Sequence, residues 1–170
     1  MSDSTAIPLV SETRYALNHR RANSACSELF AVLDEVKDPE IPVLSIWDLG
    51  ILQDVVESPE GVVCVVITPT YSGCPAMAQI TADIKEVLTE HGCVDIEIEL
   101  QLVPAWTTDW LDADARRRLR DYGVAGPDTA NCPQCGSAKT RMISEYGSTA
   151  CKSMLRCEDC LEPFDQFKRF

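Results

Sequence analysis

The chain has 170 residues and a formal net charge of −12, room for one ordinary domain plus a small satellite. So acidic a surface repels phosphate backbones, which argues against nucleic acid as a partner, and the longest unbroken apolar run, VVCVVI, is far too short to span a bilayer. Nine cysteines is an odd number, four of them in two C-x-x-C pairs, which speaks against a disulfide framework and for metal binding and free thiols in a reducing cytosol.

In chain order, residues 1–23 are polar and lack sustained periodicity, and they read as a mobile N-terminal arm or a loose first helix. Their opening, MSDSTAIPLVSE, has neither the basic start nor the long apolar run of an export signal, so a cytoplasmic protein is expected. Next, Ala25, Leu29, Val32 and Val36 recur at helical spacing, and Pro39 and Pro42 end that helix before DPEIP. ILQDVVES and VVCVVIT follow as strands joined by SPEG, the second so apolar that both its faces should be buried. Met77, Ile80, Ile84, Val87 and Leu88 mark one face of a second helix, which Gly92 stops.

VDIEIELQL alternates strictly, predicting a strand with Val94, Ile96, Ile98, Leu100 and Leu102 on a core face and its acids in water. A last helix fits TTDWLDADARRRLRDYG, acids first and arginines last, and VAGPDTAN reads as a linker. The order helix, strand, strand, helix, strand, helix predicts a small α+β domain with a mixed sheet over 24–126.

From 131 to 170 the text changes character. Cys132 with Cys135 and Cys157 with Cys160 form two C-x-x-C pairs separated by 21 residues. Four thiolates so spaced can surround one tetrahedral Zn²⁺ at about 2.3 Å each, if the chain between them folds as a hairpin turning near YGST. The segment has too little apolar content to fold alone, so ligation must contribute its stability. A C-terminal zinc ribbon with four cysteine ligands is therefore expected, with iron or a cluster in the same cage as the alternative. Cys151 would lie about 20 Å from Cys157 along an extended strand and so cannot share that ion. It is either a small buried hydrophobe or a free thiol near the turn, available to a cluster or a partner.

TPTYSGCPAMAQ poses a different question, because a serine would cap the helix after it as well as Cys74 does. With Cys74 at the N-cap and Pro75 at the first helical position, the sulfur faces unpaired backbone N–H groups and the positive end of the dipole, which favour the thiolate. A cysteine there gains nucleophilicity and affinity for soft metals; the competing reading is a buried loop cysteine without chemistry. Cys64, Cys26 and Cys93 read as packing residues. Asp38 in KDPEIP either aims a carboxylate at a site from a stiff loop or is a solvated acid in a helix-ending turn. Trp47 reads as a core anchor. The arginines 116–118 complement a helix end or, less simply, form a docking patch for an acidic partner or a coenzyme A phosphate.

DPEIPVLSIWDLGILQDV, followed by TPTYSGCP, resembles the small domain of SufT-like iron–sulfur assembly proteins. Together with LVPAWTTDWLDADARRRLRDYGVAGP and the cysteine-rich tail, the chain over 25–170 resembles the PaaD family of bacterial phenylacetyl-CoA epoxidase systems. That resemblance implies Cys74 as the signature cysteine and Asp38 as the acid of a D-P-E motif. It also implies a non-catalytic accessory role in phenylacetate catabolism: cluster or metal-centre maturation for the oxygenase, with a transient iron or iron–sulfur cluster, rather than epoxidation itself. The alternative is a structural or regulatory adaptor without cluster chemistry. Expected partners are other components of the system, its reductase or oxygenase, with a homodimer as a further possibility. The YSG of the loop departs from relatives that run more directly from threonine to Cys-Pro.

Overall fold

The computed structural model describes residues 11–170. Helices α1 (Glu12–Ala22) and α2 (Ser27–Leu33) lead into strands β1 (Leu52–Glu57) and β2 (Val62–Ile67), helix α3 (Ala76–Glu90) and strand β3 (Asp95–Leu100). A 3-10 turn (Thr108–Trp110), helix α4 (Ala113–Asp121) and strands β4 (Val124–Ala125), β5 (Thr140–Ser144), β6 (Lys152–Cys157) and β7 (Pro163–Phe167) complete the chain. The first sheet has the order β1-β2-β3 and the second β4-β7-β6-β5. In the first, β1 runs antiparallel to β2, and β3 returns parallel to it through α3, so the sheet is mixed as expected. Among the described residues no helix is long and apolar enough to cross a membrane.

The main core collects Phe30 and Leu33 of α2, Val55 of β1, Val63, Val65 and Ile67 of β2, and Ile80, Ile84 and Leu88 of α3. Removing such side chains from water is the main favourable term in folding, about 25 cal/mol per Å² of apolar area. Several expectations need correction at the edges of these elements. The stretch expected to be a mobile arm or a loose helix is a docked helix from Glu12: Ser11 caps it through Arg14 N–H, and Arg14 and Leu17 are buried. The buried arginine is what fixes the helix. Its guanidinium donates to the Trp47 carbonyl at 2.6 Å, faces the Asp112 carboxylate at 3.5 Å and lies 4.6 Å from the centre of the Trp47 ring. Residues 1–10, the rest of that expected arm, lie outside the described residues.

Helix α2 is shorter than its apolar spacing suggests, because Asp34, Glu35 and Val36 already bond to carbonyls three residues back. β2 buries only alternate residues, Val63, Val65 and Ile67, while Val62, Cys64 and Val66 are half-buried, so Cys64 is not a core residue. On β3 the apolar row is present but only its middle is covered. Ile96 and Ile98 pack on the core, whereas Val94, Leu100 and Leu102 are 89%, 58% and 59% exposed. β3 is the edge of its sheet, and strict alternation specifies two faces without specifying what covers either. The last helix begins only after Asp112, whose side chain accepts from Ala115 N–H; TTDW is the 3-10 turn, and Val124–Ala125 of the expected linker joins the second sheet beside β7.

Candidate functional site

Two groups of cysteines are candidates for a site, and the tail supplies the first. β5 and β6 pair antiparallel, Thr140 against Cys157, so the two C-x-x-C loops meet at the open end of the hairpin. The sulfurs of Cys132, Cys135, Cys157 and Cys160 all lie within 4.8 Å of one another, with Cys132–Cys160 and Cys135–Cys157 each at 3.6 Å. A tetrahedron of Zn–S bonds of about 2.3 Å has edges of about 3.8 Å, so the cage fits one such ion without rearrangement. Among the described residues this is the only group of three or more His, Cys, Asp or Glu side chains so close together. The Cys160 N–H points at the Cys157 sulfur at 3.5 Å. That N–H, above all, draws the Cys157 thiol down to about 6. Cys160 goes the other way, to about 12: the Glu162 N–H favours its thiolate, but loss of solvent and the three neighbouring sulfurs outweigh it. Crowded sulfurs cannot all ionise without a cation among them, which is what a resident metal supplies.

The second group surrounds the loop 68–75. The Cys74 carbonyl accepts the Met77 N–H at 3.2 Å, and Pro75 already has helical dihedrals, so the entry into α3 is as expected. The cap itself is not: regular helix starts at Ala76 and no side chain caps it. Cys74 is half-buried and packs against the main core. Gly73 beside it has φ +83°, a left-handed conformation that favours glycine, with no atom within 4 Å of where a Cβ would stand.

Asp38 is neither a solvated turn acid nor a carboxylate aimed outward. It is 7% exposed, and its Oδ1 accepts N–H bonds from Glu40 at 2.8 Å and Ile41 at 2.9 Å, which closes the DPEIP loop on itself. Burial pushes its carboxyl above the usual range despite those two bonds. The acid that this loop presents instead is Glu40. The Cys151 sulfur lies 3.7 Å from Glu40 Oε2 and 3.0 Å from Thr149 Oγ1. Cys151 is 5% exposed, and although it sits just before β6 it packs in the main core rather than with the cage. Burial, first, holds the proton on this thiol above its ordinary value; Thr149 and Lys152 oppose that, and Glu40 and Asp38 reinforce it.

Tyr71 stands on the same loop as Cys74, whose N–H donates to the Tyr71 carbonyl at 3.2 Å. Its phenol is pushed up to about 12, first by burial and then by the sulfurs of Cys74 and Cys151 and the carboxylate of Glu40. Sequence reasoning did not single out Glu40 or Tyr71, although both lie inside the quoted motifs, because it looked at the first letter of D-P-E and at the cysteine alone. The arginine run forms no free patch. Arg116 pairs with Asp128, Arg117 with Asp114, and Arg118 with Asp48 at 2.6 Å and Asp114 at 3.0 Å. Trp47 is half-buried, edge-on to Phe30 at 5.9 Å, with Arg14 and Arg21 each 4.6 Å from its ring centre. Cys26 and Cys93 pack at the margin of the core.

Comparison with known proteins assigns the two regions separately and then together. The family described as iron–sulfur cluster assembly protein matches residues 27–100, and the family described as PaaD zinc beta ribbon domain matches residues 120–168. A maturation auxiliary factor for Fe–S proteins from Porphyromonas gingivalis (strain ATCC BAA-308 / W83) is 33% identical over 93 residues, covering 54% of this chain and 88% of its own. The solved structure of a DUF59 domain from Bacillus anthracis superposes with a TM-score of 0.51 at 30% identity, over 55% of this chain and 89% of that one. A protein of Escherichia coli (strain K12) named as a subunit of 1,2-phenylacetyl-CoA epoxidase is 48% identical over 151 residues, 83% of this chain and 91% of that relative. With an assembly-type domain, a four-thiol ribbon and that extent of identity, the chain belongs to the PaaD family of 1,2-phenylacetyl-CoA epoxidase subunits.

Proposed function

We propose that this protein is an accessory factor of a phenylacetyl-CoA epoxidase system that passes iron, or an iron–sulfur cluster, to a metal centre of that system, with Cys74 as the sulfur that handles the cargo. The ribbon cysteines Cys132, Cys135, Cys157 and Cys160 hold one Zn²⁺ as a scaffold. The observation that carries this reading is the position of Cys74. It stands half-buried at the entry to α3 with an open glycine on one flank, inside the segment that matches the iron–sulfur assembly family. A soft sulfur donor at the margin of the core suits transient coordination better than permanent storage. Asp38 contributes by holding the D-P-E loop closed rather than by touching the cargo. The partners are the oxygenase or reductase components of the same system, and the setting is the cytoplasm.

Replacing Cys74→Ser should leave fold and zinc content unchanged while the epoxidase recovered from cells carrying the variant lacks iron or cluster. Full metal loading of the epoxidase in that background would refute the reading. A second reading, an adaptor without cluster chemistry, draws on the uncovered edge of β3, where Val94, Leu100 and Leu102 face water. It predicts that Leu100→Lys abolishes co-purification with the epoxidase while Cys74→Ser is silent.

A further inference from the structure

We propose that the outer edge of β3 is a docking strand, and that its occupant is an extended segment of an epoxidase component in which basic and apolar residues alternate, added to the first sheet beyond β3. This deepens the accessory role proposed above and rests on it, since it names the surface by which a client is held.

Among the described residues β3 pairs with β2 alone. The ladder runs one step past its end, because the Gln101 N–H donates to the Ile67 carbonyl at 2.9 Å. Backbone groups along a strand alternate in direction, so those of Glu97 and Glu99 also face β2. The N–H and C=O groups of Ile96, Ile98 and Leu100 therefore face outward, where a further strand can pair with them. The side chains sort into two rows. Ile96 stands against Val63, Ile98 against Val65 and Leu100 against Ile67 on the core face, while Asp95 stands against Val62, Glu97 against Cys64 and Glu99 against Val66 on the other.

The acidic row has no counter-charge of its own. No ion pair among the described residues involves Asp95, Glu97 or Glu99, whereas Asp54 on β1 pairs with Arg20 at 3.6 Å. Charges on an edge strand keep it from pairing with its own kind. In an antiparallel β3–β3 pair the two acidic rows would share one face, and like charges so opposed are destabilising. A second copy is thus the wrong occupant. Protection alone does not account for Leu100 and Leu102, which stand exposed at the end of the same edge. A segment that sets Lys or Arg beside the acids and apolar side chains beside Ile96, Ile98 and Leu100 satisfies both rows. The chain's net charge of −12 draws such a segment in. The edge also leads to the cargo loop. β2 and β3 are parallel, so their carboxyl ends lie together, and Leu102 shares a cavity of about 250 Å³ with Thr70, Tyr71 and Ser72. A client strand seated on β3 thereby ends beside the loop that carries Cys74.

The test uses full-length, zinc-loaded protein and synthetic peptides as probes: one with Lys and Val alternating, one with the same lysines grouped at one end, and one with Glu and Val alternating. Fluorescence anisotropy follows binding, and amide hydrogen exchange locates it. The alternating Lys peptide should bind about tenfold or more tightly than either control. The amides of Ile96, Ile98 and Leu100 should gain protection, while those of Glu97 and Glu99, already directed at β2, change little. Glu97→Lys combined with Glu99→Lys should weaken binding about tenfold or more, keep its zinc and its β1 protection, and lose co-purification with the epoxidase. Glu97→Gln combined with Glu99→Gln, which removes charge without reversing it, should weaken binding less, and it decides the matter if the reversed variant does not fold. Absence of binding, equal binding of the grouped peptide, binding without protection of the three outward amides, or full affinity in the Gln variant overturns the inference. So does protection of those amides that rises with protein concentration alone, because a second copy then occupies the edge. If the peptide arms fail while Cys74→Ser still deprives the epoxidase of metal, the docking strand falls and the cargo role stands. If Cys74→Ser is silent while the reversed variant loses the epoxidase, the docking strand stands and the cargo role falls.

Discussion

The two sheets of this molecule are built on opposite physical principles. The β1-β2-β3 sheet and its helices close over a continuous apolar core in which Phe30, Leu33, Val65, Ile67, Ile80, Ile84 and Leu88 have no exposure. The ribbon sheet buries only Ala125, Cys132, Leu155, Cys157 and Phe164 as a cluster of its own, and two of those are cage sulfurs. A domain of the first kind is stabilised by area removed from water, one of the second by ligation. The ribbon nevertheless lends side chains to the other core. Phe167 of β7 meets Trp106 at 5.9 Å, and Cys151 meets Glu40. It thus has two ends of different kind, a four-sulfur cage at one and its neighbour's core at the other.

Removing the ion should therefore have the strongest consequence and the most uneven one. Cys157→Ser, or a strong chelator on wild type, withdraws a metal contribution on the order of 10 kcal/mol in such small sites. Amides of β5, β6 and β7 should lose their hydrogen-exchange protection while those of β1, β2 and α3 keep theirs. Equal loss in both sheets would mean that the two regions fold as one unit, and the contrast between them would not stand.

That contrast was partly legible in the amino-acid sequence. Two C-x-x-C pairs with a turn between them define a cage with no knowledge of the rest, because the ligand spacing is local and the ion does the assembling. The place of Cys74 at the entry to α3 was legible for a similar reason, since Gly-Cys-Pro before an apolar-striped helix is a local signal. The meeting of Glu40 with Cys151 was not legible, for nothing near either residue refers to the other across 111 positions. Nor did alternation along β3 tell whether anything would cover Leu100 and Leu102, because period two reports faces and not layers. Of the two expectations for the first residues, arm or loose helix, the sequence could not choose, because the docking of α1 depends on one arginine rather than on an apolar stripe.

That arginine provides the second test. Arg14→Ala removes the donor to the Trp47 carbonyl, an ion pair with Asp112 and a cation over the Trp47 ring. Losing one partner of a buried charged set costs roughly 2 to 4 kcal/mol. The variant should unfold at lower denaturant concentration with zinc content unchanged, the reverse of what Cys157→Ser does. A loss below about 0.5 kcal/mol, the range of ordinary surface substitutions, would return α1 to the status of a loose arm.

A gentler probe of the same boundary is pH. Burial works against the Asp48 carboxylate, but hydrogen bonds from Arg118 and from the Ser45 N–H and hydroxyl outweigh it, so its folded value lies below the usual range. A carboxyl depressed in the folded state stabilises above its unfolded value of about 3.9, and that contribution disappears as pH falls through the folded value. Asp48→Asn should accordingly cost about 1 to 2 kcal/mol at pH 7, the worth of charge-assisted hydrogen bonds. The gap to wild type should close as the solution is taken below about pH 4. Denaturant unfolding at pH 7 and at about pH 3.5 measures both values. Because Asp48 pairs with Arg118 of α4 at 2.6 Å and not with any ribbon residue, zinc retention should not change between wild type and variant at neutral pH. A variant that sheds zinc there would show that α4 transmits stability from the apolar core to the cage, and that the two regions do not respond independently.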